Sequence, residues 1–86
     1  MDNDAVIMRG EISRISLSIN QQITALNLAA LELKAASEDI LALKTGATDV
    51  SSAAGILNNR VVEDLRRSIA QVISIRQVLE TYMTRL

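Results

Sequence analysis

Apolar residues recur at intervals of seven along the first half of the chain: Ala5, Ile12, Ile19, Leu26, Leu33 and Ile40. Met8, Ile15, Ala29, Ala36 and Leu43 each stand three residues after a member of that series, with Gln22 the one polar interruption. Alternating steps of three and four keep one stripe of a helix turned toward a partner helix. The pattern predicts a first helix over about residues 4–44, on the order of 60 Å long at about 1.5 Å per residue. Asp2, Asn3 or Asp4 can cap its start and complement the dipole there. Lys44 falls in its last turn, where a cation is favourable, and Gly46 is placed to end it in the left-handed conformation. Ser37, Glu38 and Asp39 could open a new helix, but the heptads running through Ala36, Ile40 and Leu43 favour continuation.

A short polar stretch over 45–49 reads as the turn, with Thr48 or Asp49 capping a second helix over about 50–85. Its stripe runs through Val50, Ala54, Leu57, Val61, Leu65, Ile69, Val72, Arg76, Leu79, Met83 and Leu86, with Val62 and Ile73 widening it. The steps alternate four and three except around Val61 to Ile69, where three fours occur in succession. That is a stutter, which locally unwinds a left-handed supercoil. Gly55, Asn58 and Asn59 sit beside it. The alternative is that 49–57 form a short separate helix or irregular turn, with Asn58 or Asn59 capping the main one. The fold class is therefore all-α, a single domain over 1–86 folded as a two-helix antiparallel hairpin.

Each helix carries more apolar surface than a hairpin needs. On the first, Leu17, Leu28, Leu31 and Ala35 form a second line with Gln21 and Thr24 between them. On the second, Ile75, Val78 and Tyr82 form another. A turn near residue 48 puts Leu17 close in height to Ile75 and Val78, so the outer groups are expected to merge into one patch. Full burial of a Leu or Ile is worth about 1.5–3 kcal/mol. Six such residues left in water forgo roughly 10 kcal/mol, comparable to the whole stability of a small domain. Leu17, Leu28, Leu31, Ile75, Val78 and Tyr82 are accordingly the expected contact surface, and the hairpin is expected to complete a four-helix bundle with another copy or a helical partner protein. The competing expectation is a compact three-helix bundle that buries both stripes itself.

Two polar residues interrupt the seams at heights that could match, Gln22 and Arg76. A buried polar seam position can fix register. The simpler reading puts Arg76 at the seam edge, its stem packed and its head in water.

Composition agrees with long helices. Pro is absent and Gly occurs three times, so few chain breakers exist. The apolar fraction is 49%, yet Phe and Trp are missing and Tyr82 is the only aromatic, so the core must be Leu, Ile, Val and Ala. With neither Cys nor His, disulfides and the usual zinc, iron and copper ligand sets are excluded. The net charge of −1, with both signs interspersed, gives no reason to expect nucleic acid or an anionic membrane. Arg60, Arg66 and Arg67 are interleaved with Glu63 and Asp64, and Glu63 with Arg67 has the favourable i, i+4 orientation. The acidic start is the reverse of a signal peptide, and the longest charge-free run, 15–31, is too polar to span a bilayer. The expectation is a soluble cytoplasmic protein, with leaderless export open.

No chemistry is legible. Gly10, Gly46 and Gly55 are isolated, so no phosphate loop exists. Ser and Thr have no His to act as base, and adjacent acids such as Glu38 and Asp39 point about 100° apart on a helix. No enzyme activity, cofactor, metal or small-molecule substrate is expected.

A heptad helix, a turn at Leu43, Lys44, Thr45 and Gly46, and an amphipathic helix ending near Tyr82 together resemble the WXG100 (ESAT-6-like) proteins of type VII secretion and their small helical partners. The family's turn is Trp-x-Gly, where this chain has Lys44 in place of the Trp. Its secretion signal is Tyr-x-x-x-Asp/Glu, where Tyr82 is followed four residues later by Leu86. The resemblance implies a dimer, or a heterodimer with a secreted effector. The expectations are thus a non-catalytic interaction module (scaffold, adaptor or chaperone-like subunit), a secretion substrate or partner, or a small helical inhibitor that occupies a target's groove.

Overall fold

The computed structural model describes residues 2–86, with side chains from Asn3 onward. One helix, α1, spans Asp2–Ala42. A turn over 43–47 leads into a second rod made of α2 (Thr48–Ile56), a π-helical turn (Leu57–Val61) and α3 (Val62–Thr84). The two rods pack antiparallel, and the molecule measures 68 × 15 × 12 Å. It is an extended hairpin two helices wide, and the compact three-helix alternative does not form. α1 runs without a break past Ser37, whose hydroxyl donates to the Lys34 carbonyl at 2.6 Å instead of opening a new helix.

The seam on α1 differs from the expected one in half of its members. The heptad series from Ala5 to Ile40 does face α2 and α3. Its companions are Ser16, Ile23, Ala30 and Ser37, four residues after Ile12, Ile19, Leu26 and Leu33, all buried. Met8, Ile15 and Leu43 are exposed, and so is Gln22, which therefore lies outside the seam. The physical reason is size. Two helices with nothing else to pack against gain most by approaching closely. Ser16, Ala30 and Ser37 permit that approach where the larger side chains do not. Ala54, with no exposed surface at all, continues the rule on the second rod.

The second rod keeps its seam by a different device from a stutter. Val50, Ala54 and Leu57 lead up to the π turn, and Val62, Leu65, Ile69, Val72, Arg76, Leu79 and Met83 follow it. Steps alternate between three and four on both sides of a single step of five, from Leu57 to Val62. One extra residue taken up in a π turn absorbs the mismatch locally. Val61, expected in the seam, is 44% exposed, and Val62 beside it is 1% exposed. Asn58 and Asn59 lie inside the π turn, so the rod is continuous and neither caps a separate helix.

The turn also shifts. Leu43 and Lys44 donate to the Ile40 and Leu41 carbonyls at 3.2 and 3.3 Å, tightening the end of α1. The chain reverses through two left-handed residues, Lys44 (φ 49°) and Gly46 (φ 74°). Lys44 lies past the last turn, so it is the left-handed residue that ends the helix, where Gly46 was expected. The residue preceding α2 is Ala47, which has no side-chain acceptor for the free N–H groups. Thr48 and Asp49 fall inside the first turn, and the Asp49 carboxylate accepts from the Val50 N–H at 2.9 Å. At the other end Asn3 and Asp4 fall in the first turn of α1. Capping by the Asp2 side chain lies outside the described residues.

Candidate interaction surfaces

Two cross-hairpin contacts set the register. The Ser13 hydroxyl meets Met83 Sδ at 3.6 Å, and the Arg76 guanidinium donates to Asn20 Oδ1. Asn20 lies seven residues after Ser13 and Arg76 seven before Met83, so pairing proceeds without slip through this stretch. Arg76 is half-buried at the seam edge and its Nε stands 3.5 Å from a Glu80 carboxylate oxygen. The residue it meets on α1 is Asn20, not Gln22.

These contacts assign a character to each broad face of the ribbon. At 100° per residue, Ser13, Asn20, Asn27 and Lys34 share one face of α1. Arg76, Glu80 and Arg66 border the same side from α3, making that face the more polar of the two, although Val6, Leu41 and Ile73 lie on it as well. The opposite face carries Met8, Ile15, Gln22, Ala29 and Ala36 from α1. In an antiparallel pair the equivalent heptad positions of the two helices share a side, so Val61, Ser68, Ile75 and Tyr82 lie on that second face as well. None of these positions is charged, but Glu11, Glu32 and Asp39 on α1 and Asp64 and Arg85 on α3 stand one step outward from them. Ile75 is 56% exposed and Val78, one step outward, 67%.

The six residues expected to form one contact surface therefore fall into two sets. Leu17, Leu28 and Leu31 are exposed along the outer edge of α1, roughly 150° from the seam midline, and lean toward the polar face. Ile75, Val78 and Tyr82 are exposed on or beside the apolar face. Leu17 does match the α3 set in height, but the two lines look away from each other and do not merge. Sequence reasoning placed Met8 and Ile15 in the seam, where the structure exposes them; Ala29 and Ala36 are half-buried at its edge. The signal that could have corrected it is the small-residue series Ser16, Ala30 and Ser37.

A shallow groove on α3 is lined by Ser74, Gln77, Val78, Thr81, Tyr82 and Arg85, open to solvent and without an acid–base pair. Among the described residues no acidic cluster is placed to hold a metal ion, and no helix is long and apolar enough to cross a membrane. The charged groups pair locally at i, i+3, with Arg66 to Glu63 at 3.3 Å and Arg67 to Asp64 at 3.4 Å, rather than in the expected Glu63–Arg67 arrangement. All four side chains are at least 45% exposed, so each pair contributes a few tenths of a kcal/mol at most. Comparison with protein-family profiles, with curated proteins and with solved structures gives no match.

Proposed function

We infer that the chain is a non-catalytic helical interaction module, working as a scaffold, adaptor or chaperone-like subunit that docks on another copy or another helical protein. The observation that carries this reading is the amount of large apolar surface left outside the seam: Leu17, Leu28, Leu31, Ile75, Val78 and Tyr82 are all exposed, Met8 and Ile15 with them. An isolated hairpin leaves about half of this side-chain surface in water, and burying it against a second surface would contribute on the order of 10 kcal/mol. The test is a chain carrying Leu28→Glu and Ile75→Glu together, one change on each apolar line. The reading expects either its solution mass or its capture of partner proteins from the source cell to fall relative to wild type. Both unchanged would refute it.

A type VII secretion role is the second reading, favoured by two rods of nearly equal length joined by a tight turn. It predicts that the protein is found in the culture medium and that deletion of residues 80–86 keeps it inside the cell. Strict retention of the intact chain counts against it.

A further inference from the structure

We propose that the outer edge of α1, from Arg14 to Glu38, is a second helical seam on which another copy of this chain docks antiparallel, outer edge to outer edge, giving a side-by-side array of four helices. This rests on the interaction-module reading and goes further by naming the edge, its occupant and its register.

The edge has the spacing of a seam. From Leu17 it steps four, three, four, three, four through Gln21, Thr24, Leu28 and Leu31 to Ala35. Arg14 and Glu38 continue the alternation, three residues before and three after. This is the pattern of a helix packed along another. All eight side chains are exposed, on the side of α1 turned away from α2 and α3. α1 therefore carries two seams, and its own hairpin fills one. The Thr24 hydroxyl donates to the Asn20 carbonyl at 3.1 Å, so covering this edge leaves it no orphan donor.

The order of side chains along the edge names the occupant. In antiparallel helices the two kinds of seam position face each other. A two-fold axis at the height of Leu26 sets Arg14 opposite the second copy's Glu38 and Leu17 opposite its Ala35. The same axis sets Leu31 opposite Gln21 and Leu28 opposite Thr24. Each leucine then meets a smaller side chain, so no layer is overfilled, and an ion pair closes each end. A surface complementary to its own reverse fits an isologous two-fold contact.

Other arrangements lose this match. Parallel packing puts Arg14 on Arg14 and Glu38 on Glu38. Sliding one helix by seven residues sets Arg14 against Leu31 and Glu38 against Ile7. Sliding the other way carries Arg14 past the end of α1 and sets Glu38 against Gln21. Beside the seam, Asn20 falls next to the second copy's Lys34, and Ser18 next to its Glu32. One flank brings like charges together, Glu11 and the second copy's Asp39, and it lies beside Arg14. That guanidinium engages Glu11 Oε2 through Nε and Nη2, which leaves donors for a second carboxylate. Glu38 forms no ion pair among the described residues.

Sedimentation equilibrium on the full chain tests this with a charge exchange and a pair of substitutions matched in exposure. Wild type is expected at twice the chain mass of 9.4 kDa. Arg14→Glu and Glu38→Arg each set like charges opposite one another at both ends, and each should raise the dissociation constant about tenfold or more. The chain carrying both should return to within about threefold of wild type. The two residues stand about 36 Å apart along α1, so that recovery can come only from contact between chains. Leu28 and Ile75 are both 56% exposed, and only Leu28→Glu is expected to dissociate the dimer. A wild-type mass of 9.4 kDa at every concentration overturns the proposal. So does a double exchange no tighter than the single ones, a dimer that survives Leu28→Glu, or one lost equally with Ile75→Glu. The charge variants leave the hairpin seam untouched, so their loss and recovery stands even where Leu28→Glu unfolds. The broader interaction reading outlives a monomeric wild type if the doubly substituted chain of the preceding section still loses a partner protein.

Discussion

Asn20 accepts a hydrogen bond from the Arg76 guanidinium across the hairpin, and so ties the middle of α1 to the seam of α3. Arg76 occupies a seam position with 25% of its side chain exposed, and its Nε is buried without a well-formed hydrogen bond. Removing the acceptor with Asn20→Ala is expected to destabilise the hairpin by about 1 kcal/mol. Replacing the cation by an apolar residue of similar length, Arg76→Met, is expected to be neutral or stabilising by roughly 1 kcal/mol, because a desolvated charge is exchanged for packing. Urea unfolding of the two variants decides it; a large loss with Arg76→Met would mean the guanidinium contributes net stability.

The turn holds two correctable defects. Lys44 adopts φ 49° with a Cβ that this conformation disfavours, and Ala47 precedes α2 with no oxygen to offer its free N–H groups. Lys44→Gly should stabilise the fold by about 1 kcal/mol, and Ala47→Asp by a similar amount, about 1 kcal/mol. The sites are close in sequence, so the double variant measures whether the effects add. A loss of stability with Lys44→Gly would contradict the left-handed assignment.

The π turn makes a topological prediction. Deleting Asn59 turns the step of five between Leu57 and Val62 into a step of four, which leaves an unbroken alternation of four and three along the whole second rod. This deletion should keep the hairpin at least as stable as wild type. Deleting Gln71, which lies in regular α-helix, rotates everything beyond it by about 100° and should unfold the distal half. Circular dichroism during heating distinguishes the two. Equal damage from both deletions would mean that the π turn is not where the register mismatch is absorbed.

Ser16 sits in the seam of α1, and its buried hydroxyl finds no hydrogen-bond partner. Ser16→Ala removes that desolvated group and improves helix propensity, so it should raise stability by roughly 1 kcal/mol. A loss on substitution would show that the hydroxyl is satisfied in solution.

Much of the hairpin was legible in the sequence, and each miss has its own physical cause. The series from Ala5 to Ile40, the turn around Gly46 and the irregularity between Leu57 and Ile69 are all patterns of spacing, and spacing survives folding. The companion series was misread because hydrophobicity ranks Met8 and Ile15 above Ser16, whereas close approach of two helices ranks them the other way. The π turn was read as a supercoil stutter because both accommodate the same mismatch, and a pattern of apolar positions does not say whether the backbone absorbs it in one turn or over many. Lys44 was passed over as the residue that ends α1 because Gly46, two residues on, is the better left-handed residue; the chain uses both. The six outer residues from Leu17 to Tyr82 were legible as exposed but not as two sets, since dividing Leu17 from Ile75 requires the true seam.

The central claim is that the large apolar side chains left outside the seam, among them Leu17, Leu28, Leu31, Ile75, Val78 and Tyr82, are covered by association with another copy or another helical protein. The thermal midpoint of the wild-type chain, followed over a hundredfold range of protein concentration, tests it most directly. Unfolding coupled to dissociation gains about 2.7 kcal/mol over that range, so the midpoint should climb steadily with concentration. A midpoint that stays constant across the series, together with unchanged partner capture by the chain carrying Leu28→Glu and Ile75→Glu, would contradict the account.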